Sequence, residues 1–270
     1  FFPKLCELLK LCPTDLEHNN FVFLEEKISL MAERAIADAL NGSFNTSVYS
    51  FGNYYKSRSK NASAVSKEGS SMIVRKILSS LSLKTFKNAG QTLAPSLFEL
   101  IIQLKSASVS PSDILNASKN VKGILKNKIT DVYEVYNAYE GYLLERGLTD
   151  QSAQLDRLPT IIDSDAKMKG ANVFVVGFQG FTAQIKNAIK SLIKRASSVT
   201  FILPDGKNKF AFVGETKKAV INICKNLGVS FLESKVNGDY LNEAKYILDN
   251  LFAPKKSKKE KIKTDKIFVY

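Results

Sequence analysis

The chain has 270 residues, 44% of them hydrophobic and 24% charged, with a mean hydropathy of −0.10 and a formal charge of +13. That balance describes a folded protein with one large core or two smaller ones, and no run of uncharged apolar residues is long enough to span a bilayer as a helix. Cys6, Cys12 and Cys224 lack metal-ligand spacing and fit a reducing cytoplasm, and the lone His18 has no second ligand beside it, so zinc chemistry is excluded.

The opening residues, Phe1 to Cys12, are apolar but broken by Lys4, Glu7 and Lys10, unlike a signal peptide. The chain opens on Phe1 rather than Met, as a trimmed or processed chain would. FVFL at Phe21–Leu24 reads as a strand. In EEKISLMAERAIADAL, Ile28, Met31, Ala32, Ala35, Ile36 and Ala39 recur at helical spacing up to the stop signal Asn41-Gly42. TSVYSF at Thr46–Phe51 is the next strand, and strand–helix–strand is the opening of a parallel α/β fold.

Ser57–Lys67, rich in Ser, Lys and Asn, reads as a linker, and from Glu68 to about Ile162 the pattern is wholly helical. Met72, Ile73, Ile77, Leu78 and Leu81 mark one helix, and Leu97, Leu100, Ile101 and Leu104 another. Ser110 is an N-cap before Pro111. Val121–Leu144 is the longest helix, with Tyr133, Tyr136, Tyr139 and Tyr142 as a stripe expected to pack in a helix–helix core. Strand–helix alternation resumes with ANVFVVGF, TAQIKNAIKSLIKRA, SVTFILP, GETKKAVINICKNLG, the strand VSFLE, the helix LNEAKYILDNLF and the strand DKIFVY. The expected fold is therefore α/β, a parallel sheet core built from 1–58 and 169–270, truncated at its C-terminal end, interrupted by an all-helical insert over 59–168. The net charge favours an anionic partner, usually nucleic acid, although much of it sits in the run Lys255, Lys256, Lys258, Lys259, Lys261, Lys263 and Lys266, which also suits a solvated loop.

Motifs that carry chemistry are missing. There is no GxxxxGK[ST] phosphate loop, and Asp205-Gly206-Lys207 has neither the first glycine nor the Ser/Thr. The acidic pair that holds magnesium at the end of a core strand is replaced by Val176 and Gly177. GxSxG, HExxH and paired-cysteine patterns are absent, and Glu25-Glu26 and Asp163/Asp165 read as surface or capping acids. No catalytic residue, metal or cofactor is expected in this stretch.

FVFLEEKISLMAERAI, SVYSFGNYYKS, LKNKITDVYEVYNAYEGYLLERGLTD and ANVFVVGFQGFTAQIKNAIKSLI, in that order, resemble the N-terminal half of the AddB (RexB) family, the B subunits of ATP-dependent helicase–nucleases that act in double-strand break repair and recombination. The resemblance runs from about Phe21 to Tyr270. It implies a RecA-like, superfamily 1 helicase-like domain whose hydrolytic machinery has decayed, in a cytoplasmic complex with an A-type subunit and DNA. Against the active motif Asp-Glu-Phe-Gln-Asp, Val176-Gly177-Phe178-Gln179-Gly180 keeps Phe-Gln and loses the acids at Val176, Gly177 and Gly180. The family's phosphate-loop-like opening is not in this chain. The single-strand-contacting motif of active relatives aligns with Ser50, Phe51 and Asn53 and the following Tyr54, Tyr55, Lys56 and Arg58. The resemblance so implies stacking of Phe51, Tyr54 or Tyr55 on bases with Lys56 and Arg58 on phosphates; equally, Phe51 caps the sheet core and the cations are solvated. Lys27, after the first strand, is a weaker candidate. Two readings lead, a non-hydrolytic DNA-binding scaffold or a module that docks a partner subunit without touching DNA; a third, a small-molecule enzyme on the α/β core with a site assembled from scattered residues, is disfavoured by the missing motifs.

Overall fold

The computed structural model describes residues 1–13, 15, 17–59, 64–87, 91–204 and 211–235. Among them, β1 (Asn20–Phe23), β2 (Thr46–Tyr49), β3 (Asn172–Val176) and β4 (Ser198–Ile202) form one all-parallel sheet in the order β2-β1-β3-β4. Strand pleating sends alternate side chains to opposite faces. Phe21, Phe23, Val173 and Val175 point to one, packing with Phe51, Tyr54, Leu158, Ile162 and Ile189. These come from α3 (Phe51–Arg58), α9 (Leu158–Ser164) and α10 (Ala183–Arg195). Val22, Leu24, Phe174 and Val176 point to the other face, against Leu5, Leu9, Ala32 and Ile36 of α1 (Phe2–Leu9) and α2 (Ser29–Leu40). Both faces are covered, which is why these strands read as continuous apolar runs instead of alternating ones. This three-layer α/β arrangement is that of a RecA-like core.

Between β2 and β3 the chain builds a second core from α4 (Lys67–Ser80), α5 (Ala94–Ser106), α6 (Pro111–Lys119) and α7 (Gly123–Glu145). Val74, Leu97, Phe98, Ile101, Val135, Tyr136 and Tyr139 fill it. Tyr136 and Tyr139 are buried, with Tyr133 and Tyr142 half-buried against the same cluster, so the tyrosine stripe packs helix on helix. Ser110 caps α6 in a reciprocal box with Asp113. Three buried charged side chains, Asp131, Lys105 and Asp150, fix the long-range geometry. Asp131 accepts hydrogen bonds from the backbone N–H groups of Lys84 (3.0 Å), Thr85 (2.6 Å) and Phe86 (3.0 Å). Lys105 donates to Glu140 (2.7 Å) and Asp150 (2.8 Å). Asp150 also caps α8 (Gln151–Asp156), where it accepts from Ala153 N–H at 2.7 Å.

The residues just after this core return to the sheet side: Leu155, Leu158, Ile162 and Met168 all lie in the cluster around Phe21 and Phe23. Gln184 of α10 donates to the carbonyl (3.1 Å) and hydroxyl (3.0 Å) of Ser152 in α8. Where the chain leaves and re-enters the sheet domain, Arg58 at the end of α3 meets Asp165 just past α9. Asp165 Oδ2 accepts from Arg58 Nε (2.7 Å) and from the Tyr54 hydroxyl (2.8 Å), while its Oδ1 accepts from Lys167 N–H (2.9 Å). The Arg58 guanidinium also lies over the rings of Phe21, Tyr49 and Tyr54, 5.3 to 6.0 Å from their centroids.

One sequence expectation is corrected. Val229–Glu233 is not a strand: it leaves α11 (Ala211–Leu227) through Gly228 at φ +66°, Val229 N–H closes on Cys224 O at 3.0 Å, and Phe231 and Leu232 are exposed instead of joining the sheet. The helix start also shifts, since Glu26–Ile28 is a single 3-10 turn ahead of α2. The expected elements LNEAKYILDNLF and DKIFVY, the Asp205-Gly206-Lys207 turn and the lysine-rich tail lie outside the described residues. Among the described residues no helix is long and apolar enough to cross a membrane.

Burial opposes the charge of Asp165, but the hydrogen bonds from Arg58 and Tyr54 outweigh it, so its carboxyl lies below the ordinary aspartate value. Asp165→Ala leaves Arg58 and the Tyr54 hydroxyl without their acceptor, and we expect a loss of about 2–4 kcal/mol by urea unfolding. Because the folded pKa is lowered, this stabilisation is complete above the ordinary aspartate pKa and is lost as pH falls through the folded one. The gap between wild type and Asp165→Asn therefore narrows only below the ordinary aspartate value.

Candidate nucleic-acid interface at the carboxyl edge of the sheet

In open parallel sheets, ligands sit outside the carboxyl ends of the strands where the strand order reverses. Here the chain passes from β1 to β2 on one side and returns to β3 on the other, so that point lies between β1 and β3. The loops meeting there are Leu24–Ile28 after β1, Ser50 after β2 and Gly177–Thr182 after β3.

The exit of β3 is apolar and closed. Val176 is fully buried in the α1–α2 face. Gly177 has φ +78°, its N–H donates to Ile202 O at 2.8 Å, and a Cβ placed there would touch the Phe1 ring at 3.6 Å and Ile28 at 3.8 Å. Phe178 packs on Phe51 (5.7 Å between centroids) and Phe181 on Phe178 (5.5 Å), roofing the sheet-side core. Thr182 then caps α10, accepting from Ile185 N–H. The Gln179 carbonyl accepts from Thr216 of α11 at 2.5 Å. Gly180, by contrast, is exposed and has no positive φ, and a Cβ there would meet nothing within 4 Å. Gly180 apart, the Gly-Phe-x-x-Phe-Thr run is thus a structural roof whose residues have packing, hydrogen-bonding or capping partners.

The expected single-strand segment is divided by burial. Ser50 caps α3 by accepting from Asn53 N–H at 3.1 Å. Phe51, Tyr54 and Tyr55 are 4%, 0% and 3% exposed, and Phe51 stacks on Phe23 at 4.8 Å, so none turns a ring face to an incoming base in this conformation. Arg58 is engaged by Asp165. Asn53 is half-buried, while Lys56 faces solvent. Lys27, its side chain 77% exposed, pairs with Glu25 at 2.6 Å. The surface this segment offers is therefore polar and cationic, with its aromatics turned inward. Burial pushes the Tyr54 phenol well above its ordinary value, and the bond to Asp165 adds to the shift, so it stays a neutral donor. Among the described residues no group of three His, Cys, Asp or Glu side chains could hold a metal ion. His18 pairs with Asp15 at 2.7 Å on the surface.

The profile of the family described as "ADDB, N-terminal" matches residues 10–251. The chain belongs to the AddB N-terminal family. Curated relatives, each named as the B subunit of an ATP-dependent helicase/deoxyribonuclease, share its pattern. That of Caldanaerobacter subterraneus subsp. tengcongensis is 29% identical over 182 residues, covering 63% of this chain and 16% of the relative. That of Alkaliphilus oremlandii is 27% identical over 207 residues, covering 72% and 18%. That of Clostridium novyi is 24% identical and covers 92% of this chain but 24% of the relative. The chain therefore spans at most about a quarter of the length of these relatives.

The Arg58–Asp165 closure is the part of this region that sequence reasoning missed. The two residues are 107 positions apart, and the sequence assigned Arg58 to a phosphate and Asp165 to a cap, so only a fold-level alignment of the two ends of the helical segment would have paired them.

The two glycines of the AddB loop should respond oppositely to a methyl group. Gly177→Ala forces a side chain into a left-handed backbone and should cost about 1–2 kcal/mol. Gly180→Ala meets neither clash nor strain and should stay within about 0.5 kcal/mol of wild type or stabilise slightly. Thermal melts of the pair check both; equal destabilisation would mean the loop does not hold this backbone.

Proposed function

We propose that this stretch is a non-hydrolytic, DNA-contacting scaffold within the B subunit of a helicase/deoxyribonuclease, working beside an A-type subunit that supplies the motor. The observation that carries the proposal is the exit of β3: where a helicase motor needs carboxylates to hold magnesium and place water, this AddB-family chain has buried Val176 and the closed, left-handed Gly177. The relatives' name speaks of an ATP-dependent helicase/deoxyribonuclease, and its DNA-directed part is what we carry to this chain. The contacting surface proposed is the outward side of α3, Asn53 and Lys56, with Lys27 at the neighbouring loop. Its rigidity comes from Phe51, Tyr54 and Tyr55, which anchor the helix from beneath. The aromatics thus act as a foundation, and affinity at this surface comes from phosphate contacts and hydrogen bonds instead of stacking.

Two measurements test the proposal. Purified chain should turn over no ATP in a phosphate-release assay, with or without DNA; DNA-stimulated turnover that survives stringent purification overturns the scaffold reading. In anisotropy titrations with a single-stranded oligonucleotide, Lys27→Ala and Lys56→Ala should each lower the slope of log affinity against log salt by about 0.7, the value expected for losing one single-strand phosphate contact. Unchanged slopes for both would remove α3 as the contact surface.

A further inference from the structure

Some lysines of the described residues have an acid at hand, Lys4 with Glu7 at 2.7 Å, Lys67 with Glu99 at 2.9 Å, Lys218 with Glu215 at 2.8 Å and Lys27 with Glu25, while others, such as Lys190 and Lys194 of α10, are exposed without an ion pair among the described residues. The end of the helical segment where α6 turns into α7 is different. Lys119, Lys122, Lys126 and Lys128 follow one another around the turn, and no Asp or Glu occurs between Ile114 and Thr130. The loop after α4 adds Lys84 and Lys87, in a stretch with no acid between Leu81 and Phe98. It lies beside the same part of α7, because the N–H groups of Lys84, Thr85 and Phe86 bind Asp131, one turn beyond Lys128. Asp131 is buried, accepts from those three backbone donors and makes no ion pair with these lysines among the described residues. All six lysines are exposed and none has an ion pair among the described residues; Lys119 reaches only Asn116, at 3.0 Å.

This arrangement is costly for the folded chain. Lys122 and Lys126 are like charges one turn apart, and the first turn of α7 has no acid to match the positive end of the helix dipole. A solvated helix face normally mixes signs to avoid that repulsion. Six exposed lysines with no ion-paired acid, at one end of a helical bundle, are stabilised when an anion neutralises them. Phe86 and Tyr133, adjoining the patch in sequence, are half-buried against the helical core and not free as a stacking platform for unpaired bases. Lysine, a point charge, suits phosphate without geometric selection of a base.

We infer that this lysine patch is a docking surface for the phosphate backbone of duplex DNA, separate from the sheet edge and independent of base sequence. The inference rests on the proposed DNA-handling role of the protein, and adds a second contact on the helical segment. Duplex is favoured over a single strand because it presents one phosphate charge for about every 1.7 Å of axis, against about 3.4 Å for one strand.

The experiment compares three forms of the 270-residue chain: wild type, the patch variant Lys122→Gln/Lys126→Gln/Lys128→Gln, and a charge-matched variant Lys10→Gln/Lys190→Gln/Lys194→Gln on exposed lysines of other helices. Circular dichroism confirms that all three fold. Each is titrated with a duplex, a single strand of the same length and polyglutamate of matched charge, at several salt concentrations. We expect the patch variant to lose on the order of tenfold or more in duplex affinity and its log–log salt slope to fall by about 3, roughly 0.9 for each lost contact. The charge-matched variant should lose less than about threefold, since only long-range attraction changes. Equal losses in both variants would mean that net charge alone binds DNA, and the inference fails. Wild type binding polyglutamate as tightly as duplex would assign the patch to an acidic protein surface, which also overturns it. If wild type binds DNA and the patch variant matches it, only this inference falls; if wild type binds no DNA at all, the scaffold reading falls with it.

Discussion

Everything in this structure is conditioned by the parallel pairing of β1 with β3. The two strands lie side by side in register from Asn20 against Asn172 to Phe23 against Val175, and the Asn172 side chain donates to that of Asn20 at 3.1 Å across 152 residues of sequence. A parallel pair cannot be joined by a tight turn, so the connection has to leave the sheet, run over a face and come back. Here it also carries a separate helical core. That core can be large only if its two ends are brought to one place, and the shared carboxylate of Asp165 does this by holding Arg58 from one end and Tyr54 beneath it.

The same constraint explains the behaviour of the aromatic residues. Tyr54 is completely buried, yet it carries a hydroxyl that must find an acceptor. Asp165 supplies one, and the Arg58 guanidinium over the Phe21, Tyr49 and Tyr54 rings balances the acid. Tyr54 and Arg58, which look like part of a DNA-contacting motif in the sequence, are thus bound into the junction between the two cores, and Phe51 and Tyr55 into the sheet-side core. What remains outside is Asn53 and Lys56, which is why the proposed interface at this edge is polar.

Much of the fold was legible in the sequence because local signals and tertiary demands agree. The buried strands announced themselves as VFVV and FVF, Asn41 takes the left-handed position at the end of α2 (φ 53°), and Ser110 caps the helix it precedes. Legibility failed where a residue's role depends on a distant partner. Val229, Phe231 and Leu232 have strand-like composition, but composition does not say whether a sheet edge is waiting for them. Phe51 and Tyr54 carry the side chains of a stacking platform, and only the position of α3 over Phe21 and Phe23 turns them inward. Asp165 read correctly as a capping acid, for Lys167 N–H. Its second role needed a residue 107 positions away.

The Arg58–Asp165 junction also bears on the order in which the chain assembles. The entropic cost of closing a flexible loop grows as (3/2)RT ln n, about 0.6 kcal/mol for each doubling of length. If the helical segment condenses first and its ends meet at this junction, β1 no longer has to find β3 across the whole intervening chain, because most of that chain already counts as a single short link. The saving is only on the order of 1 kcal/mol. Its larger effect is on rate: the slow, non-local step of forming a parallel sheet becomes the docking of two neighbouring stretches, and a strand edge that would otherwise wait exposed has a partner close by. In that sense the helical segment serves as a folding aid for the sheet it interrupts.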